Sequence, residues 1–196
     1  ALSMISGNGG VDLSGIALAN LAGVIAATLA PLLFAPDAAP WAYSLTFAGI
    51  ALLTGLAGGA LNGLLIARVG LTPILCTLGT QLAFTGLAVV LTQGSSLRIG
   101  AAQPLSDFGN EYIWGVPIPF VAFMAALLLV GWVLRYTAFG LRLYLLGTNA
   151  KAARYAGIAQ DRMLLGTYVA SGLLAALAGV IIAARTASVK SDYGTS

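Results

Sequence analysis

The chain has 196 residues, 59% hydrophobic and 8% charged, with a mean hydropathy of +0.96 and a formal net charge of +3. Soluble domains carry about 25% charged residues, so this composition belongs to a membrane protein and excludes an ordinary soluble fold. There is no His and one Cys, Cys76, which excludes His-based zinc or haem sites, Ser-His and Cys-His nucleophile pairs and a disulfide within the chain.

The chain opens Ala1-Leu-Ser, with neither an initiator Met nor a basic n-region, and no signal peptide is visible. It closes on a polar, Gly-containing run, Asp192-Tyr-Gly-Thr-Ser196. Both ends read as cuts in a longer chain. Residues 1–14 are mixed, with Ser6-Gly-Asn-Gly-Gly-Val-Asp12-Leu-Ser14 set directly against an apolar run. No Gly-Lys-Ser/Thr follows these glycines, so they do not form a phosphate loop.

Five stretches are long and apolar enough to cross a bilayer. They are Gly15 to Phe34, Tyr43 to Ala67, Thr72-Pro73 to about Gln93, Val116 to Leu134, and Met163 to Ala184. Each crosses a hydrocarbon core of roughly 30 Å at about 1.5 Å per residue. A polar segment from Gly94 to Gly115 separates the third from the fourth, and residues 135–162 separate the fourth from the fifth. The predicted fold is therefore all-α, a polytopic transmembrane helix bundle, read as a single domain over 1–196.

The 135–162 stretch holds Arg135, Arg142, Lys151, Arg154 and Arg162, five of the nine Lys+Arg. The positive-inside rule puts it in the cytoplasm, and alternation then puts Arg68 there too. The opposite side receives Arg98, Arg185 and Lys190 together with Asp37, Asp107, Glu111 and Asp192. Trp41 and Trp114 sit at the outer ends, as interfacial aromatics do. The small net charge follows from loop topology. No aromatic-basic clusters suggest a nucleic-acid partner.

Small residues recur every fourth position in three spans: Gly15-Ala19-Gly23-Ala27, Gly55-Gly59-Gly63 and Ser171-Ala175-Gly179-Ala183. Such ridges let helix backbones approach closely in lipid, although Ala- and Gly-rich composition alone also produces them. Leu21 to Ala27 and Leu177 to Ala184 nearly repeat, as the halves of many transporters do.

Two groups of residues are candidates for function. In 149–157, Asn149 caps a short helix, Lys151, Ala152, Ala153, Arg154 and Tyr155 fill it, and Gly157 closes it in the left-handed region. Its alanines present a small apolar face, with Lys151 and Arg154 outward. This suits docking in a groove of a soluble partner; a helix lying on lipid headgroups fits equally. The second group holds the polar residues next to or within spans: Asp12, Ser14, Asn62, Thr77, Thr80 and Gln81. A carboxylate near the bilayer marks a functional site by default, while Asp12 and Ser14 also suit an ordinary helix start. Hydroxyls and amides within spans either line a polar path or bond helix to helix. No span carries carboxylates paired at helical spacing, which counts against a proton-coupled carrier.

At these residues the chain resembles the permease subunit of bacterial sugar-type ABC importers, the ribose/galactose/arabinose and autoinducer-2 group. Gly9-Gly-Val-Asp-Leu-Ser14 is similar to that family's Gly-Gly-Ile-Asp-Leu-Ser signature. Gly59-Ala-Leu-Asn-Gly-Leu-Leu-Ile-Ala67 and Thr77-Leu-Gly-Thr80 resemble its Gly-x-x-Asn-Gly and Thr-Leu-Gly-Thr segments. Gly147-Thr-Asn-Ala-Lys-Ala-Ala-Arg-Tyr-Ala-Gly-Ile158 resembles its Gly-x-Asn-x-x-Ala-Ala-x-x-x-Gly-Ile loop, and Gly172 to Gly179 continue the match. One departure is that Gly15-Ile-Ala stands where the family has Val-Gly-Ser.

The resemblance implies a multi-pass inner-membrane subunit, paired with a second permease subunit. It implies a cytoplasmic ATP-binding subunit that carries ATP and Mg, and a periplasmic substrate-binding protein. Asn149 to Gly157 would be the coupling helix, and this chain would hold no cofactor and perform no bond chemistry. A stand-alone carrier or channel for a small polar solute, or a membrane enzyme, would instead rest on buried charges or paired acids.

Overall fold

The computed structural model describes residues 10–99, 103–113, 115–191 and 193, with the backbone alone at 103, 150 and 154. Ser6 to Gly9, Trp114, Asp192 and the side chain of Arg154 lie outside this description. Five long helices carry the fold: α1 (Gly15–Leu33), α2 (Pro40–Ala67), α3 (Pro73–Thr92), α5 (Ile118–Tyr136) and α8 (Gln160–Thr186). They have 19, 28, 20, 19 and 27 residues and are apolar enough to cross a membrane, which makes the chain an all-α, polytopic bundle. Pro40 and Pro73 stand at the first helical position, where a missing N–H costs nothing.

Several shorter elements were not legible as such. Within the polar 94–115 segment, α4 (Gln103–Asn110) forms with Leu105 and Phe108 on its inner side. Three two-residue strands, β1 (Leu97–Arg98), β2 (Tyr112–Ile113) and β3 (Val116–Pro117), flank it. β2 pairs antiparallel with β3, and β1 with β4 (Ser188–Val189), Leu97 opposite Val189. That pairing joins the segment after α3 to the segment after α8 at one end of the bundle, as alternating crossings require. At the other end, the expected loop holds two helices, α6 (Ala138–Thr148) and α7 (Ala150–Tyr155). Thr137 caps α6 by accepting from the Gly140 N–H, and Leu143 and Leu146, three residues apart, are fully buried.

α1 is the central helix, packed on α2, α3 and α8. The closest seam is between α2 and α8. A Cβ on Gly55 would strike the Gly172 carbonyl, one on Gly59 the Tyr168 carbonyl, and one on Gly63 would lie 3.0 Å from Leu165 Cα. Gly179 meets the Ala19 carbonyl of α1 in the same way. In lipid, where association rests on dispersion and hydrogen bonds, this backbone approach is the chief gain.

The α8 stripe on this seam is Tyr168-Gly172-Ala176, one residue out of step with the expected Ser171-Ala175 ridge; only Gly179 and Ala183 of that ridge face the core. In α1, Gly15 meets nothing within 4 Å, so the ridge there begins at Ala19. α5 stands apart, with 6% of its most apolar window buried against 56% for α1. It is held by α4 and α6.

Gly172→Val should destabilise the protein by about 1–3 kcal/mol, the cost of overpacking, because the Gly55 and Gly59 backbones cannot yield. Gly131→Val in α5, where an added Cβ meets nothing within 4 Å, should leave the thermal unfolding midpoint in detergent nearly unchanged.

Candidate functional site

Residues 10–14 enter the bundle as irregular backbone between α1, α2, α3 and α8. Irregular backbone at membrane depth needs internal partners, and here it has them. Thr77 Oγ1 lies 3.2 Å from the Val11 carbonyl and 2.9 Å from that of Pro73, donating into this shared site. Gly10 is pressed against Pro73, and a side chain there would collide with it. Asp12 then closes an Asx turn onto the start of α1: its Oδ1 accepts from Ser14 N–H at 3.0 Å and from Ser14 Oγ at 2.7 Å.

Ser14 passes the network on. Its Oγ accepts from Asn62 Nδ2 of α2 at 2.7 Å, and both residues are almost completely buried. Asp12 Oδ2 accepts from Ser171 Oγ of α8 at 2.8 Å. One carboxylate thus gathers the chain entry, α2 and α8 into a single polar node. Ser171 is the twelfth residue of α8, about 16 Å along the helix at 1.5 Å per residue, so the node lies well inside the membrane. Charge-assisted bonds of this kind are roughly twice as strong as neutral ones.

Of the expected polar residues, Asp12, Ser14 and Asn62 are brought together, and Thr77 holds the segment beside them. Thr80 is apart: its Oγ1 turns back to the Cys76 carbonyl at 3.1 Å, the commoner role for a hydroxyl in a span. Ser171 was missed as a polar contact. Its signal was a hydroxyl next to Ala170 and Gly172, hidden by its own place in a small-residue ridge. Asn62 Oδ1 and the buried hydroxyls of Tyr168 and Tyr43 have no hydrogen-bond partner among the described residues.

Asp12, Ser171 and Asn20 line an open cleft of about 560 Å³ between α1 and α8, with Ile16, Ala175 and Tyr193. Ser14, Asn62 and Thr77 lie behind this wall, nearly fully buried.

The second group is at the other side of α8's N-terminus. Asn149 Oδ1 accepts from Ala152 N–H at 3.0 Å and caps α7. Gly157 has φ +78°, and the Ile158 N–H returns to the Ala153 carbonyl at 3.0 Å, a left-handed helix ending. Ala153 is 3% exposed and so faces its own chain, while Lys151, Ala152, Ala156 and Gly157 are exposed. The outward face of α7 is therefore narrower than three alanines. Gly157, Ile158 and Asp161 share a cleft of about 480 Å³ with Ile66 and Ala67 at the end of α2 and Gly70 of the α2–α3 turn.

Ser14→Ala leaves Asn62 Nδ2 buried without an acceptor and should cost about 1–3 kcal/mol. Adding Asn62→Leu should restore part of that loss in thermal unfolding, a coupling that two independent sites would not show.

The whole chain, residues 1–196, matches the family described as "Branched-chain amino acid transport system / permease component". It is 41% identical over 143 residues to the fructose import permease protein FruF of Bifidobacterium longum, covering 71% of this chain and 39% of that protein. It is 37% identical over 136 residues to the ribose import permease protein RbsC of Bacillus subtilis, covering 69% and 42%. It is 32% identical over 200 residues to the autoinducer 2 import system permease protein LsrD of Photorhabdus luminescens, covering 100% and 58%. The chain thus spans about 39–58% of the length of these relatives. No solved structure matches it. With five membrane-length helices and a family match over its full length, this multi-pass inner-membrane chain belongs to the branched-chain amino acid transport system permease component family.

Proposed function

We propose that the chain is part of the membrane-spanning permease of an ATP-driven importer and forms the translocation pathway for a monosaccharide or similar small polyol, such as autoinducer 2. The relatives named for fructose, ribose and autoinducer 2 import support this solute class. The permease does no bond chemistry. ATP and Mg sit on a cytoplasmic ATP-binding subunit, a periplasmic substrate-binding protein delivers the solute, and a second permease subunit completes the pathway.

The observation that carries this reading is the continuous connection from α7 to the polar node. α7 is a capped, basic helix with Lys151 and Ala152 exposed. Gly157 joins it to α8 by a left-handed turn, and α8 runs unbroken to Ser171 and its bond to Asp12. A partner that pushes α7 moves α8 as a rod and strains that bond, a switch between two packings. The coupling residues are Asn149, Lys151, Ala152, Arg154 and Gly157, with Ala153 locking α7 onto its own chain.

Ala152→Glu should abolish uptake and binding of the ATP-binding subunit while leaving membrane insertion intact; undiminished uptake removes the coupling role. A cysteine at Asn110 should react with an impermeant thiol reagent applied to intact cells, and one at Lys151 should not. The reverse pattern inverts the orientation.

A further inference from the structure

The cleft between α1 and α8 sets a physical problem. Its lining is largely apolar, yet Asp12 opens onto it, held to Ser171 deep inside the membrane. A carboxylate facing acyl chains is costly, and the Asx turn keeps Asp12 from withdrawing. The cleft is therefore filled by something that hydrogen-bonds. Asn20 adds an amide to the same wall: it is 6% exposed, and its Nδ2 donates to the carbonyls of Ser191 at 3.3 Å and Tyr193 at 3.0 Å. These bonds hold Tyr193 over the cleft's far end, its hydroxyl 2.7 Å from Ser188 Oγ.

A carboxylate, a hydroxyl and an amide lining a largely apolar cavity of about 560 Å³ make the usual form of a small-molecule site: mostly apolar walls with a few convergent polar groups. The set accepts more hydrogen bonds than it donates. It suits a neutral solute with several hydroxyls, which offers donors on one edge and C–H surface to Ile16 and Ala175. An anion would meet the Asp12 charge with no cation among the lining residues to offset it.

We propose that Asp12, Ser171 and Asn20 form the solute-contacting wall of a water-filled cleft, and that its ligand is a neutral polyhydroxylated molecule. This rests on the transport reading above and adds the residues that touch the solute. Ser14, Asn62 and Thr77 hold the wall from behind. Ser171 Oγ is the group that changes partner, releasing Asp12 Oδ2 to a solute hydroxyl as the solute arrives.

The test uses Ser171→Cys and Ala175→Cys in leaky membrane vesicles that retain the protein's partners, with a charged methanethiosulfonate as probe. The native Cys76 is buried and sets the background. Ala175 makes no side-chain hydrogen bond, so its variant keeps the test open if Ser171→Cys misfolds. Leu82→Cys is the reference: it lies midway along α3, is 75% exposed and is outside the cleft.

Both cleft thiols should react at least about tenfold faster than Leu82→Cys, since hydrocarbon excludes a charged reagent. D-Ribose or D-fructose should slow them severalfold. Cleft thiols no faster than Leu82→Cys would mean that lipid fills the cleft and would overturn the proposal. Fast labelling that neither sugar slows would overturn the solute contact. Sugar protection without ATP-dependent uptake would keep the wall and remove the importer reading instead.

Discussion

Backbone contact between α2 and α8 is the constraint on which the rest depends. Lipid gives no hydrophobic drive for two apolar helices to meet, so they associate only where they fit closely. Gly55 and Gly59 on one side and Gly172 on the other let the two backbones touch, with the Ala176 methyl beside Gly55. With that seam fixed, α1 drops into the groove beside it through Ala19 and Gly179, and Leu18 packs over Gly58. The position of Ser171 is then no longer free. It is next to Gly172, so it must point just off the seam, where Asp12 waits.

The polar node follows from the same geometry. Residues 10–14 could not lie at membrane depth as irregular backbone unless each polar group found a partner. Thr77, Asn62 and Ser171 supply partners from three helices, and Ser14 links Asp12 to Asn62 from within the segment. The price is that Asn62 Oδ1 and the Tyr168 hydroxyl are left without one among the described residues. Unpaired buried atoms of this kind favour rearrangement, because a second packing that satisfies them recovers part of their desolvation cost.

The α5–α7 arm obeys different rules. α5 is apolar around its whole circumference and almost unburied, with Phe123, Leu128 and Trp132 exposed. Gly140 folds α6 tightly back on the end of α5, where a Cβ would strike the Leu134 backbone. α6 and α7 thus hang from α5 and reach the bundle through the start of α8 and through Phe139, which lies over Gly166. An arm attached at few points can move as a unit, and it meets the core mainly through the start of α8.

The sequence alone determined the number of crossings, their ends to within a few residues, the Asn149 cap and the Gly157 turn. Each of these depends on local chain physics: the length of an apolar run, the hydrogen bond of a cap, the freedom of a glycine at positive φ. It pointed to Asp12, Ser14 and Asn62 as polar residues out of place, but not to their mutual contact or to Ser171. It also placed Thr80 with them, and in the small ridge of α8 it was one residue out of step at Ser171 and Ala175, though not at Gly179 and Ala183. Only the tertiary structure decided those points. A helix buried on several sides is apolar all round, so its periodicity does not say which side meets which neighbour; that is settled by where Gly55, Gly59 and Gly172 let two backbones touch.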